Sequence, residues 1–338
     1  MKALQITDLK HIQVVQLPTP TAQPGEVLLR LKYVGFCGSD LNTFLGRNAM
    51  AKAQVIPGHE IGAVIEAVGE GCPEELQVGQ VVTVNPYTNC GHCASCRNGR
   101  VNACQNNETL GVQRDGAMRE LISLPWQKII PVKGVSVRDC ALIEPLSVGF
   151  HAVDRGQVSD IDTVLVFGCG MVGLGAVLRS VQRGATVVAC DISDEKIELA
   201  RQCGAAYGIN SQKESLIERI NEITDSRGAD CVIEAVGSPA TYQSAIAAVG
   251  FTGRVVCIGY SQLEVSFQTK YFVQKELDIR GSRNAMPNDF RAVMSMLNSR
   301  QLPIERFISD IVRPEDAQSA LEQWAANPGQ VFRKLVQF

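Results

Sequence analysis

One stretch, TVLVFGCGMVGLGAVLRSVQRG at 163–184, limits the possible folds more than any other. A β-branched apolar run ends at Gly168. The turn Gly168-Cys169-Gly170-Met171-Val172-Gly173 follows, and then residues with helical spacing close on Gly184. Strand, glycine-rich turn and helix in that order make a βα unit. The next segment, ATVVACD at 185–191, is again strand-like and ends on Asp191. SDEKIELARQCG has Ser193 as N-cap, acids in its first turn and Gly204 at its end, which predicts a helix over 193–204. DCVIEAVG (230–237), GRVVCIG (253–259) and LDIRGS (277–282) are further apolar strands, with a helical segment between the first two. Wholly apolar strands alternating with helices predict a parallel sheet covered on both faces, an α/β arrangement.

The glycine pattern carries chemistry in this setting. Gly168 permits the tight turn, Gly170 lets the backbone approach a pyrophosphate, and Gly173 lets helix and strand pack closely. The helix start at Met171 and Val172 offers N–H groups and a positive dipole end to phosphate. Asp191 can accept hydrogen bonds from ribose hydroxyls and repel a 2′-phosphate. No arginine stands among Ile192, Ser193 and Asp194 to bind that phosphate, so NAD is expected over NADP. The alternative is a glycine-rich turn in an α/β domain that binds nothing, with the acids serving as helix caps.

The 338 residues suffice for two domains at roughly 150 residues each. Residues 1–150 read differently from the rest. KALQIT, GEVLLRLKYVGF, IGAVIEAVG and QVVTVNP are short β-like runs closed by Gly, Pro or Asn, predicting a mostly β domain. Hydrophobic residues make up 45% and the net charge is -3, which gives no electrostatic reason to expect a nucleic acid or an anionic membrane as partner. The start MKALQITDLK lacks the apolar core of a signal peptide, and the apolar run at 163–178 is too short and glycine-broken to span a bilayer. A cytoplasmic location is expected.

In a reducing compartment, twelve cysteines point to metal rather than disulfides. Cys90, Cys93 and Cys96 stand at two-residue intervals, and Cys104 follows after seven residues. Four thiolates this close can enclose a structural zinc ion with no open position. His92 is a weak competitor. A ferredoxin-type iron–sulfur run would need a different last spacing and a proline.

A second set is dispersed: Cys37 in GFCGSD, His59 and Glu60 in PGHE, and Glu144 in LIEPL. Each alone is an ordinary core or turn residue. Together they supply a thiolate, an imidazole and one or two carboxylates, a donor set suited to catalytic zinc with a place left open.

With these motifs in this order, the chain resembles the zinc-dependent medium-chain dehydrogenases of the alcohol, sorbitol and threonine dehydrogenase superfamily, over nearly its whole length. The resemblance implies a GroES-like catalytic domain at 1–150 and a Rossmann NAD-binding domain with a doubly wound parallel sheet at 151–284. It implies a segment at 285–338 that returns to the catalytic domain. It implies catalytic zinc on Cys37 and His59, with Glu60 and Glu144 as alternating or additional ligands. Asp40 would orient the imidazole, and Ser39 would pass the substrate proton outward. A homodimer or homotetramer is the implied assembly. Two positions depart from the family pattern. The glycine after GHE stands at Gly62 with Ala63 in its usual place, and the relay histidine is Asn42, which cannot carry a proton by changing charge.

Glutamate in place of a second cysteine near the metal points to the polyol and threonine branch. The stretch Gly281-Ser282-Arg283-Asn284 resembles bacterial L-galactonate- and L-gulonate-oxidising enzymes, and makes Arg283 and Asn284 candidate substrate contacts. Arg283 pairing with a protein acid is the competing reading. The expected reaction is hydride transfer from a secondary hydroxyl of a polyol or sugar acid to NAD. L-threonine 3-dehydrogenase and general secondary alcohol dehydrogenase activity are alternatives, and a zinc- and NAD-binding regulator is the non-enzyme one.

Overall fold

The structure, a computed structural model, describes residues 1–51, 54–299 and 302–338. The chain divides into two compact units. One comprises Met1–Pro145 together with Met286–Phe338, and the other Leu146–Ala285. The division falls inside the helix Ile143–Gly156, five residues before the boundary expected at 150/151. An amphipathic helix that continues through the change of unit leaves no Gly- or Pro-rich linker to mark it in the sequence.

The first unit is mostly β. Its seven-stranded sheet runs in the order Asp310–Val312, Lys334–Gln337, Glu26–Phe36, Glu60–Val68, Val81–Val84 and Ile129–Pro131, with Leu121–Pro125 also paired to Glu26–Phe36. Lys2–Asp8 and His11–Gln16 form a separate hairpin. The segment 286–338 thus enters this unit through a strand: Lys334–Gln337 lies antiparallel to the end of Glu26–Phe36, with Lys334 opposite Phe36. Leu29, Leu31, Val34, Phe36, Ile61, Ala63 and Ile65 alternate inward and are almost wholly buried. Fully burying such side chains stabilises by about 1.5–3 kcal/mol each for the larger ones.

The second unit holds six parallel strands in the order Tyr207–Asn210, Thr186–Asp191, Thr163–Phe167, Ala229–Glu234, Val249–Cys257 and Asp278–Gly281. This is the doubly wound order, and the chain reverses direction across the sheet beside Thr163–Phe167, where such sheets bind ligands. Val164, Leu165, Val166, Val187, Val188, Val232 and Ile233 are fully buried, as strands covered on both faces require. Ser193 caps the helix Asp194–Gln202, its side chain accepting from the Lys196 N–H. Among the described residues, no helix is long and apolar enough to cross a membrane.

Candidate functional site

Strand pairing builds the first site. The antiparallel pair Glu26–Phe36 and Glu60–Val68 places Gly35 opposite Glu60, and the chain leaves the first of these strands at Cys37. Position 35 must lack a side chain, because a Cβ there would lie 2.2 Å from Glu60 Oε2. The Glu60 carboxylate uses that space. The ligand atoms of Cys37, His59 and Glu60 all lie within 4.8 Å of one another. Glu144 does not join this group. It is buried nearby, and its Oε1 accepts a hydrogen bond from the Tyr87 hydroxyl.

The site is largely buried and crowded with charge. Arg333, 4% exposed, donates from Nη1 to the Phe36 carbonyl at 2.6 Å and stands 3.0 Å from Glu60 Oε1. Burial pushes the Cys37 thiol up, but the charge and hydrogen bond of His59 outweigh it, with help from Arg333, and bring the thiol down to about 7. Burial alone would lower His59. Cys37, followed by Glu144 and Asp40, reverses this and holds the imidazole well above its ordinary value. Burial pushes Glu60 well up, against the pull of Arg333. Burial and then Glu144 hold the Tyr87 hydroxyl far above the ordinary phenol range.

Several buried atoms here lack a hydrogen-bond partner: His59 Nδ1, both carboxylate oxygens of Glu60, Asp40 Oδ1 and the Ser39 hydroxyl. Buried polar atoms are normally satisfied, and an imidazole nitrogen and a carboxylate without hydrogen-bond partners beside a thiol are what a divalent cation would complete. The donor set therefore fits zinc. Neither Asp40 Oδ1 nor His59 Nδ1 has a hydrogen-bond partner, so Asp40 acts on the imidazole here through its charge. Asp40 Oδ2 accepts from the Cys37 backbone N–H at 2.8 Å and fixes the turn into the helix Gly38–Phe44.

The second cysteine group also converges. The sulfurs of Cys90, Cys93, Cys96 and Cys104 lie within 4.8 Å of one another. Cys104 Sγ is 3.6 Å from Cys90 Sγ and 3.8 Å from Cys93 Sγ. Hydrogen bonds from Ser95 and from backbone N–H groups bring the Cys93 thiol down to about 5, whereas burial and the neighbouring sulfurs push Cys96 up to about 11. Sulfurs that share protons in this way suit a thiophilic cation. His92 is exposed, and its Nδ1 lies 2.8 Å from the Cys90 carbonyl, outside the sulfur group.

In the second unit the glycine turn has the geometry a dinucleotide needs. Gly168 has φ +84°, and a Cβ at Gly173 would sit 1.7 Å from the Gly168 carbonyl oxygen. A Cβ at Gly170 would meet nothing within 4 Å, which leaves an open cradle at the head of the helix Met171–Gln182. Asp191 ends its strand with Oδ2 accepting from the Cys169 N–H at 2.7 Å, and Oδ1 from Ile192 at 2.8 Å and Ser193 at 3.0 Å. Its carboxylate is thereby fixed beside the turn.

Comparison with known proteins agrees with this geometry. The family model for the alcohol dehydrogenase GroES-like domain matches residues 23–134, and that for zinc-binding dehydrogenase matches residues 172–299. Sorbitol dehydrogenase of Bacillus subtilis is 33% identical over 330 residues, covering 96% of this chain and 93% of the relative. This chain belongs to the zinc-type medium-chain dehydrogenases. The dehydrogenase is also 30% identical over 309 residues to L-galactonate-5-dehydrogenase of Escherichia coli K12, covering 91% of each. The solved structure of the rspB alcohol dehydrogenase from Escherichia coli CFT073, complexed with NADH, superposes with a TM-score of 0.91 at 30% identity, covering 100% of this chain and 99% of the other.

Arg283 and Asn284 belong to the dehydrogenase's second unit, where Arg283 is exposed and Asn284 has φ 54°. Two residues of the metal site escaped sequence reasoning. Tyr87 gives no sign of itself between Pro86 and the cysteine run. Arg333 leaves a trace, since VFRKLV sets two adjacent cations in an apolar strand, where they need buried partners.

Proposed function

We propose that this dehydrogenase oxidises a secondary hydroxyl of a polyol or sugar acid with NAD as hydride acceptor. Cys37, His59 and Glu60 would hold the catalytic zinc, and the four clustered cysteines a structural one. The observation that carries the reading is the largely buried group of thiol, imidazole and carboxylate, with His59 Nδ1 and Glu60 Oε2 lacking a hydrogen-bond partner and Glu60 Oε1 facing only Arg333. When bound, zinc supplies a Lewis acid that stabilises a deprotonated hydroxyl, and nicotinamide supplies the hydride acceptor. The chain's residues do the remainder. The Ser39 hydroxyl, buried and without a partner, is available to take the substrate's proton. Asn42 is exposed and has no titratable group, so the proton leaves Ser39 by water or another hydroxyl. Arg333 offsets the charge that Glu60 adds to the site. Asp191, anchored by three backbone N–H groups, is set to accept ribose hydroxyls and to repel a 2′-phosphate.

The substrate class is supported by the glutamate at the metal and by relatives named for sorbitol and L-galactonate. Arg283 and Asn284 are our candidates for contact with a substrate carboxylate or hydroxyls. NADH formation with sorbitol, L-galactonate, L-gulonate, L-threonine and 2-propanol tests the reading. Turnover of a polyol or sugar acid well above the simple alcohol is expected. Preference for 2-propanol or L-threonine would refute the substrate class. Zinc on the purified protein with no turnover anywhere in the panel would favour a non-catalytic role.

A further inference from the structure

We infer that Tyr87 is a positioning residue: its hydroxyl holds the Glu144 carboxylate away from the group formed by Cys37, His59 and Glu60, and so keeps one coordination position open. The inference rests on the zinc reading of that group. Tyr87 and Glu144 are each 4% exposed, and the tyrosine O–H donates to Glu144 Oε1. The tyrosine itself is held from several sides. Its N–H donates to Asn85 Oδ1 at 3.1 Å, and its carbonyl accepts from Lys128 Nζ at 2.6 Å. Its ring meets Phe290 edge-on at 6.4 Å and 71°. Glu144 is close enough for its charge to act on His59, yet it stands outside the group whose ligand atoms lie within 4.8 Å of one another. A fourth protein ligand would close the site, as in structural zinc centres, whereas catalysis needs a free position. A second carboxylate beside three ligands needs a restraint, and among the described residues the Glu144 side chain accepts its hydrogen bond from Tyr87.

The test uses the full chain loaded with cobalt(II) in place of zinc. The visible bands of cobalt shift when a carboxylate takes the place of water in the open position, and an open position binds added azide with a further shift. Tyr87→Phe removes the hydroxyl and keeps the ring against Phe290. In this variant we expect shifted bands from the Cys37 site that no longer respond to added azide, and release of its metal to a chelator about tenfold more slowly, the scale of one net hydrogen bond. Adding Glu144→Gln should return both readings toward wild type. Unchanged absorption and release in Tyr87→Phe would overturn the inference, as would a change that survives in the double variant. Cys37→Ala separates the two levels. If it leaves the cobalt spectrum intact, the zinc reading of this group fails, whatever Tyr87 does. The absorption of the four-cysteine lobe is common to all variants and cancels in the difference spectra.

Discussion

At position 35 the absence of a side chain makes room for the Glu60 carboxylate, because a Cβ there would come within 2.2 Å of Oε2. Gly35→Ala should therefore displace Glu60, cost on the order of 1–3 kcal/mol, and lower zinc retention at this site alone. Chemical denaturation and metal analysis measure the two effects. Unchanged stability with full zinc content would mean that the carboxylate can move at no cost. Asp191 is the second residue that can be tested singly. On the proposed NAD reading, replacing it by alanine removes a charge that would face a 2′-phosphate, so a kcat/KM preference for NAD over NADP should shrink by about tenfold to a hundredfold, the range of a charge-assisted hydrogen bond at roughly 1.5–3 kcal/mol. A wild-type preference for NADP would remove the basis of that assignment. Cys37, His59, Glu60 and Asp191 were legible because each sits in a short motif with its own local logic. Tyr87 and Arg333 were not, since their partners are brought to them only by the sheet and by a strand from the far end of the chain.

Among the elements, the strands and helices of the second unit were the most readable, because period and caps agree there. Ser193 is the N-cap the sequence predicts. The unit boundary was less readable, since it lies within the helix Ile143–Gly156. The glycine after His59-Glu60 has a steric reason to stand at position 62: a Cβ there would lie 1.9 Å from the Val137 carbonyl oxygen. Cysteines divide by element in a testable way. Cys190 and Cys231 lie in buried strands, and burial pushes both thiols up to about 12. In the folded protein near neutral pH they should resist alkylation, since only the thiolate reacts. In the chelated protein, mass spectrometry should find label first in the lobe 90–104, led by Cys93, whose thiol is held near 5. Early labelling of Cys231 would mean that its strand opens locally. Cys93→Ser should lower stability, because a closed zinc site contributes directly to folding.

At the scale of the molecule, each unit has its own apolar core, one centred on Leu29, Phe36 and Ile61 and the other on Leu165, Val188 and Val232. Ligands that bind one unit should protect that unit first. NADH at about a hundred times its Kd stabilises by about 2.7 kcal/mol. Hydrogen exchange should slow most within Leu146–Ala285, especially at the strand ends near Gly168 and Asp191, while chelation of zinc should speed exchange within Met1–Pro145. Protection by NADH confined to the first unit would contradict the dinucleotide assignment.

The strand Lys334–Gln337 also bears on the order of synthesis. Domains made on the ribosome commonly fold in the order they emerge. Here the unit begun first is finished second, because Arg333 and the strand after it are translated only after all of Leu146–Ala285. During elongation Glu60 must wait without its cationic partner while the intervening unit acquires its own fold. A nascent chain stalled before Arg333 would carry a completed parallel sheet and an unfinished metal pocket. Chaperone demand and degradation of interrupted products should therefore fall on the residues made earliest.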